Sequence, residues 1–484
     1  MTDAPHIPVL RAGKEYTSLD QVELTCPSNG TVMARISQAN AGIVRRDLRR
    51  IADNAAVLRE IPSSKMLDIC KAAGELFMKA ELPMNEEGDT QSADDYVATL
   101  SATSGLPHNL CRKNMHKVFT VFDSMPSILE GLMRGMDVGV VDNGFAVHSG
   151  VPVCYAPTTH AMGVVLPSNS PGVNSIWMPA IALKIPVILK PGREEPWTPI
   201  RIVQAFIAAG CPREAFSVYP TDHEGAAAIL GGSGRALLFG DEATTRTYAG
   251  NAAIQLHGPG RSKVIIGKDE IENWRDHLDI LIGSVADNGG RSCINASSIL
   301  VPSHADEIAD ALASALAEIE PLPAEDDKAR ISSFANPKFA EFIDATITTA
   351  LDEGGAEDVT AKYRTAPRAQ TRDGAQFLLP TVVRCSSIEH PLARTEFLFP
   401  FVSVVNIPQE EMIESMGQSL VVTAITRDPK LVDQLVTSRE IDRLNLGPIP
   451  TSHVEWDQPH EGNLFEFLYA RRAIQRAEDW ADPS

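Results

Sequence analysis

The stretch PVILKPGREEPWTPIRIVQAFIAAGCPREAFSV, residues 186–218, decides the fold of this chain. Residues 186–190 and 215–218 are continuous apolar runs, and residues 198–209 between them repeat apolar side chains at helical spacing. Apolar strands separated by amphipathic helices are typical of a parallel sheet that is covered on both faces. The stretch therefore predicts an α/β fold with a doubly wound sheet.

The same alternation continues on both sides of this stretch. Helical spacing returns at 223–230 and 241–248, with an apolar run at 235–240 between them. Such a sheet is a candidate for dinucleotide binding, although Gly-x-Gly-x-x-Gly is absent from each strand-to-helix turn. A second α/β region begins near residue 255, whereas residues 30–136 are predicted to be mostly helical.

Composition narrows the class of protein. The chain has 484 residues, which is enough for two or three domains, and a formal net charge of −20. That charge argues against a nucleic-acid surface. The seven cysteines are scattered and contain no Cys-x-x-Cys, so neither a disulfide framework nor a metal site is predicted. No leader and no apolar run of about 20 residues is visible, and we expect a cytoplasmic protein without a membrane span.

One cysteine stands in a chemically suggestive setting. Cys293 ends the glycine-bearing hexapeptide Asn288-Gly289-Gly290-Arg291-Ser292-Cys293, which lies between two apolar runs. A thiol on such a loop can reach a substrate and attack it once the thiol is ionised. The alternative is a half-buried structural cysteine.

Four short segments, in order, resemble motifs of the aldehyde dehydrogenase superfamily. They are Pro167-Ser168-Asn169-Ser170-Pro171, Leu189-Lys190-Pro191-Gly192, the hexapeptide ending at Cys293, and Glu396-Phe397-Leu398-Phe399-Pro400. The resemblance implies that Cys293 is the nucleophile and that the Asn169 amide helps hold the substrate oxyanion. It further implies that Lys190 contacts the adenosine ribose and Glu396 the nicotinamide ribose of the cofactor. The alternative for Asn169 is a cap on a helix that starts at Gly172.

The family resemblance also implies an architecture. We expect a Rossmann-type cofactor domain with N-terminal helices within 1–255, a catalytic domain within 256–446, and a tail, 447–484, that returns to the cofactor and oligomerisation region. A bridging hairpin is expected around 140–160, which implies a homodimer or homotetramer.

The clearest departure from the family pattern lies at residues 257–263. Ordinary members carry a Glu here that activates hydrolytic water, whereas this chain has His257-Gly258-Pro259-Gly260-Arg261-Ser262-Lys263. This string is similar to the acyl-CoA reductase branch typified by the fatty acyl reductases of bacterial luminescence. Without the carboxylate, coenzyme A becomes the expected acyl acceptor. His257 is either the base that ionises Cys293 or a histidine bonded to backbone at a strand end.

A second departure concerns the cofactor. Three residues after Lys190, where many NAD-preferring relatives place a Glu, this chain has Arg193. A guanidinium there favours the 2′-phosphate of NADP, with NAD still open, unless Arg193 pairs with Glu194 or Glu195. Gly240 matches the glycine that opens the family's cofactor-side helix.

The resulting hypothesis is an NAD(P)H-linked, coenzyme A-dependent aldehyde dehydrogenase that interconverts an acyl-CoA and an aldehyde. One alternative is an NAD(P)-dependent dehydrogenase that releases the free carboxylic acid. Another, from a different class, is an inactive family member that acts as a scaffold. The acyl chain is left open by the sequence.

Overall fold

A computed structural model describes residues 4–475 and 477 of the chain. Within that part, two seven-stranded sheets form the framework of the molecule. The strands of the first sheet are, in spatial order, Ile254–His257, Gly234–Phe239, Ala161–Val165, Val187–Lys190, Phe216–Val218, Val9–Arg11 and Lys14–Tyr16. The five strands from Ile254–His257 to Phe216–Val218 are parallel, so the predicted doubly wound sheet is confirmed.

The central strands of this first sheet are apolar because both of their faces are covered. Every residue of Ala161–Val165 is buried, as are the first three of Val187–Lys190. Helices Trp197–Ala208 and His223–Gly232 follow the neighbouring strands and supply covering side chains such as Phe206 and Ile229. The helix on each crossover returns the chain to the same edge, which brings the carboxyl ends of the strands together.

The second sheet begins immediately after the first one ends. Its strands are, in spatial order, Ala356–Asp358, Thr381–Cys385, Phe401–Asn406, Ala296–Val301, Ser262–Ile266, Ser419–Ile425 and Ile441–Leu446. All neighbours pair in parallel except Ala356–Asp358, which is antiparallel to Thr381–Cys385. The chain passes from the first sheet to the second through residues 258–261, so the loop after His257 joins the two.

The region predicted to be mostly helical, residues 30–136, begins with the strand Val32–Ser37. Strands His6–Ile7, Gln21–Thr25 and Val32–Ser37 form a small sheet before the helices begin. Apolar residues at helical spacing from Arg45 to Arg59 predict one helix, whereas the structure has two, Ala41–Leu48 and Ile51–Arg59, with Arg49 and Arg50 between them.

One further helix of this region has capping signals at both of its ends. Ser92 and Asp95 form a reciprocal capping box at the start of Ala93–Ser104, and Gly105 ends that helix at φ 79°. The next helix, His108–Asp123, places Asn114 and Lys117 towards the centre of the molecule.

A third, three-stranded sheet lies outside the two large ones. Its strands are Phe145–His148, Val151–Pro157 and Tyr469–Arg472, so the end of the chain returns to pair with the hairpin. The side chains of Val147 and Val151 are 62% and 50% exposed. Residues 1–3 of the expected 1–255 segment, and residues 476 and 478–484 of the expected tail, lie outside the described residues.

The remaining elements complete the covering layers. The other α-helices are Ser63–Lys79, Met125–Leu132, Val140–Asn143, Pro179–Ala182, Glu242–Thr247, Leu278–Ala286, Ala305–Leu316, Pro337–Asp352, Pro391–Arg394, Gln409–Met416, Pro429–Thr437 and Leu464–Leu468. The 3₁₀ turns are Pro171–Ile176, Arg213–Ala215, Ile271–His277, Asp287–Gly290 and Val359–Lys362. Two hairpins, Leu82–Pro83 with Thr90–Gln91 and Ala369–Arg372 with Ala375–Leu378, add short ribbons. Among the described helices, none is both long and apolar enough to cross a membrane.

Candidate active site

Cys293 follows a tight turn that only small or flexible residues can make. In the turn Asp287–Gly290, Asn288 has φ 52°, and Gly289 and Gly290 have φ 66° and 69°. A Cβ on Gly290 would stand 2.3 Å from the backbone nitrogen of Pro400. The glycine therefore permits direct backbone contact between the segment that ends at Cys293 and the segment that begins at Glu396.

The backbone around Cys293 is fixed from the first strand of the second sheet. The Cys293 carbonyl accepts a hydrogen bond from Ser262 Oγ at 2.9 Å, and a Cβ on Gly260 would stand 2.1 Å from the same oxygen. Burial raises the pKa of the Cys293 thiol, and the carboxylates of Glu396 and Glu461 raise it further. Without substrate or cofactor this thiol is therefore neutral at physiological pH, and it needs a base or a nearby cation to become nucleophilic.

Asn169 contacts the loop that carries the thiol. Its side-chain nitrogen donates to the carbonyl of Arg291 at 2.8 Å. The short helix Pro171–Ile176 has Ser170 at its N-cap position and no side-chain cap. Asn169 therefore does not cap this helix, which was the alternative interpretation, and its amide lies beside the loop that carries Cys293.

His257 ends the last strand of the first sheet and is held on two sides. Its ring stacks on Phe239, with centroids 4.4 Å apart and planes 13° from parallel. Its Nδ1 is hydrogen-bonded to a carboxylate oxygen of Glu461, so the histidine is bonded to an acid rather than to backbone. The buried Nε2 has no hydrogen-bond partner among the described residues.

Glu461 is a site residue that the sequence interpretation missed. It lies more than two hundred positions after His257, in the tail where no family motif is recognisable. Gln255 donates to the backbone carbonyl of Glu461, and a Cβ on Gly462 would meet the Gln255 side chain at 2.9 Å. A further anchor is Asn463, whose side chain donates to the Leu132 carbonyl at 2.8 Å. The only signal for Glu461 in the sequence is the presence of an acid in the otherwise unassigned run 458–463.

Two cavities meet at Cys293. The first, which we term the helix-side cavity, has a volume of about 130 Å³. Its walls are largely apolar, and they also include Lys117, whose pKa is lowered by burial. The apolar residues of its wall include Ile128, Leu132, Val173, Ile176, Trp456 and Leu464. This cavity can hold a small apolar or amphipathic group next to the thiol.

The second, which we term the sheet-side cavity, has a volume of about 480 Å³ and lies at the strand ends of the first sheet. Gly240, His257 and Glu396 line it, whereas Cys293 and Glu461 line both cavities. Glu396 accepts from the backbone nitrogen of Arg261 at 2.6 Å, and burial raises its pKa to about 7.

The other two expected cofactor residues, Lys190 and Arg193, do not themselves line the sheet-side cavity. Lys190 ends the strand Val187–Lys190 and is half-buried, and burial lowers its pKa. Arg193 is exposed and forms no ion pair with any residue that the structure describes. Their neighbour Glu194 does line this cavity and acts electrostatically on Lys190, so Lys190 and Arg193 lie next to its wall.

The acids next to Arg193 do not neutralise it. Glu195 is turned inward and accepts from the backbone nitrogen and hydroxyl of Thr198, at 2.8 and 2.6 Å. Burial raises the pKa of Glu195 to about 8. Glu194 is half-buried and lines the sheet-side cavity. The guanidinium therefore stays available to an anion.

Comparison with known proteins identifies the architecture. The family model described as "Aldehyde dehydrogenase family" matches residues 15–421. An aminoacetaldehyde dehydrogenase from Pseudomonas aeruginosa is 26% identical over 261 residues, which cover 51% of this chain and 50% of that protein. A putative aldehyde dehydrogenase of Staphylococcus haemolyticus is 22% identical, over 59% of this chain and 62% of that one. The chain thus spans about half the length of the first of these curated relatives and somewhat more of the second.

Solved structures extend the likeness of the fold over nearly the whole chain. The NAD-dependent aldehyde dehydrogenase from Sinorhizobium meliloti superposes with a TM-score of 0.77 at 16% identity, covering 99% of this chain and 96% of that one. At this identity the likeness concerns the fold alone.

Proposed function

Because the chain belongs to the aldehyde dehydrogenase family, we propose that it interconverts an aldehyde and an acyl-CoA through a thioester on Cys293. The observation that carries the proposal is the position of Cys293, which lines both cavities. A substrate chain in the helix-side cavity and a redox cofactor in the sheet-side cavity would then meet at one sulfur atom.

The proposed steps balance in both directions. The Cys293 thiolate adds to the aldehyde carbonyl, and the oxyanion is held by the Asn169 amide and the Cys293 backbone N–H. The thiohemiacetal loses a hydride and becomes a thioester. The sulfur of coenzyme A then attacks this thioester, so that acyl-CoA leaves and the Cys293 thiol is restored. Acyl-CoA reduction follows the same path backwards, with coenzyme A as the first leaving group.

A nicotinamide cofactor fits the sheet-side cavity. Gly240 leaves space at the strand end before the helix Glu242–Thr247, and the Glu396 carboxylate faces the same cavity. When bound, the cofactor supplies the hydride acceptor or donor. We assign Lys190 and Glu396 to its two riboses, and the absence of an ion pair at Arg193 supports NADP(H) over NAD(H), because a 2′-phosphate would find an unneutralised guanidinium there.

Coenzyme A is proposed as the acyl acceptor because no carboxylate occupies position 257. The family's hydrolytic Glu is replaced there by His257. A second candidate, hydrolysis to the free carboxylic acid, is favoured by one observation. The carboxylate of Glu461 is hydrogen-bonded to His257, and both residues line the sheet-side cavity next to Cys293. A group that can take a proton from water is therefore present there.

We also propose that the chain forms a homodimer or a dimer of two dimers. The support is the outer sheet formed by Phe145–His148, Val151–Pro157 and Tyr469–Arg472, whose hairpin exposes Val147 and Val151. The molar mass in solution, measured by light scattering, tests this point. A purely monomeric protein at micromolar concentration would contradict it.

The function is tested with purified protein and two assays. The first follows NADPH and NADH consumption with a panel of acyl-CoAs, and the second follows aldehyde oxidation with and without coenzyme A. Cys293→Ala is the test variant and Cys26→Ala the matched control, since Cys26 is a buried cysteine beside Ser28, outside both cavities. We expect turnover that requires both Cys293 and coenzyme A. Aldehyde oxidation that is independent of coenzyme A would establish the second candidate instead.

A further inference from the structure

We propose that His257 and Glu461 act as a pair in which His257 takes the proton of the group that attacks the Cys293 thioester, and Glu461 positions His257 for this task. The inference rests on the proposed acyl-enzyme at Cys293. It holds for either acceptor, because water and a thiol both carry the proton that must be removed.

The hydrogen bond with Glu461 fixes the tautomer of His257. A carboxylate accepts only, so the Nδ1 bonded to Glu461 carries a hydrogen, and in the neutral imidazole Nε2 is left with a free lone pair. That nitrogen is buried and has no partner within the described residues. Buried ring nitrogens are normally hydrogen-bonded, so an unpartnered one on a residue that lines a cavity is suited to receive a proton from a group bound there.

Both residues of the pair are held in place by other contacts. The stack on Phe239 fixes the plane of the imidazole ring. The bonds of Gln255 to the Glu461 carbonyl and of Asn463 to the Leu132 carbonyl fix the tail at Glu461 itself and two residues after it. Both partners are thus held by contacts that do not involve the reacting groups, which is the arrangement a positioned base needs.

His257 lies on the side of Cys293 that faces the sheet-side cavity. It lines the sheet-side cavity and is absent from the wall of the helix-side cavity, which we assign to the acyl chain. An acceptor must approach the thioester from the side that the acyl chain does not fill. His257 therefore lies where the attacking group arrives, while Glu461 borders both cavities behind it.

The other titratable groups around the pair are less suited to the task. His460 is hydrogen-bonded to Arg443 at 3.1 Å, and burial together with Arg443 and His257 lowers its pKa to about 3. Asp442 lines neither cavity that contains Cys293. Glu396 does line the sheet-side cavity, and its carboxylate is already bonded to the Arg261 backbone nitrogen. Glu396 is therefore the rival base that the experiment must separate.

The proposed step balances as follows. His257 Nε2 accepts the proton from the attacking oxygen or sulfur as the new bond to the acyl carbon forms. The bond from the acyl carbon to Cys293 Sγ then breaks, and the proton passes from Nε2 to the departing sulfur. Glu461 stays ionised throughout and stabilises the imidazolium that forms in between.

The experiment uses p-nitrophenyl acetate, which acetylates a reactive thiol without any nicotinamide. The initial burst of p-nitrophenolate measures acetylation of Cys293, the steady rate measures deacetylation, and mass spectrometry reports acetyl-Cys293. For Glu461→Gln we expect the burst to remain, acetyl-Cys293 to persist, and the steady rate to fall at least about tenfold; His257→Gln should lower it roughly a hundredfold. Hydroxylamine, a nucleophile that needs little help from a base, should restore turnover in both variants.

Two matched variants complete the test. Glu466→Gln, which removes an exposed carboxylate of the same tail that pairs with Arg134, should behave as the unchanged protein. Glu396→Gln, which removes the rival base, should slow deacetylation far less than His257→Gln does. Unchanged deacetylation in Glu461→Gln, or slow deacetylation in Glu396→Gln alone, would contradict the proposal that His257 and Glu461 act as a pair. A burst that survives in Cys293→Ala, or no acetylation of Cys293 in the unchanged protein, would instead remove the proposed nucleophile and the pair together.

Discussion

The side-chain nitrogen of Asn169 lies 2.8 Å from the carbonyl oxygen of Arg291 and donates to it. This bond joins the loop after the strand Ala161–Val165 to the loop that carries Cys293, and so links the two large sheets across the site. The Asn169 amide is held beside the loop that carries Cys293 by a backbone carbonyl of that loop. A preorganised donor is more effective than one that must turn towards the oxyanion during the reaction.

Replacement of Asn169 should therefore weaken the chemical step. Asn169→Asp keeps the shape of the side chain and removes the N–H donor. We expect kcat/KM to fall roughly a hundredfold to a thousandfold, the effect of removing one oxyanion donor in other enzymes. Steady-state kinetics measure the loss, and a melting temperature close to that of the unchanged protein shows that the fold persists. A variant with full activity would remove Asn169 from the proposed mechanism.

Arg193 should set the preference between the two nicotinamide cofactors. Its guanidinium is exposed and free of ion pairs with the described residues, because Glu195 is bonded to Thr198. Arg193→Ala should lower kcat/KM for NADPH at least about tenfold, the value of one charged hydrogen bond, and leave that for NADH nearly unchanged. Equal losses with both cofactors would show that Arg193 does not recognise the 2′-phosphate. Arg213→Ala, which removes an exposed Arg paired with Glu86, is the control.

Much of the framework follows from the sequence because continuous apolar strands leave few alternatives. The strands Val187–Lys190, Phe216–Val218 and Gly234–Phe239 are predicted within about one residue of their observed bounds. The break between Ala41–Leu48 and Ile51–Arg59 is not predicted, since the apolar spacing continues across Arg49 and Arg50. Local periodicity gives the type of an element more securely than its interruptions.

The site divides in the same way. The thiol loop is visible from its glycines, because a left-handed backbone at Gly289 and Gly290 leaves a signature in the sequence. Glu461 leaves no comparable signature in the sequence, because its hydrogen bond with His257 joins distant parts of the chain. The contact of Gly290 with the Pro400 backbone is likewise tertiary. Sequence spacing cannot reveal such pairs without a motif that contains both members.

The buried acid Glu396 should make stability depend on pH. Burial raises its pKa from 4.5 to about 7 in the folded chain, so the free energy of unfolding falls as the pH rises from about 4.5 to about 7. Glu396→Gln removes this penalty. We expect the variant to be more stable at pH 8 by at most roughly 3 kcal/mol, and equal to the unchanged protein at pH 4.

Thermal melting of the unliganded protein at pH 4 and pH 8 measures this difference. Glu341→Gln, an exposed acid on the helix Pro337–Asp352, is the control and should show no comparable change between the two pH values. A Glu396→Gln variant that is less stable than the unchanged protein at pH 8 would contradict the assignment of a charged, buried carboxylate.

The same substitution should change the reactivity of Cys293. The Glu396 carboxylate raises the pKa of the thiol, so its removal increases the thiolate fraction. We expect Glu396→Gln to react faster with iodoacetamide at Cys293 at pH 8, where Glu396 is ionised. At pH 5, where Glu396 is protonated, the two proteins should react at similar rates. Peptide mass spectrometry distinguishes Cys293 from the six other cysteines, all of which are buried.

Lys117 should decide which substrates the helix-side cavity prefers. Among the described residues that line it, Lys117 and His460 are the basic ones, and His460 is neutral because its pKa is lowered to about 3. The Lys117 amino group has no hydrogen-bond or ion-pair partner among the described residues. Burial lowers its pKa, and the charge of Asp287 offsets part of that effect. A substrate that ends in a carboxylate would supply the missing partner.

Lys117→Met keeps the length of the side chain and removes its charge. We expect kcat/KM to fall roughly tenfold for an aldehyde or acyl-CoA with a terminal carboxylate, because one charged hydrogen bond is lost. For a neutral substrate of the same length, kcat/KM should be unchanged or higher, since the partly desolvated ammonium no longer has to be buried further. Lys79→Met, which removes an exposed Lys that pairs with Glu75 and does not line the cavity, is the control. Equal effects on both substrates would show that the ammonium contributes packing rather than recognition of charge.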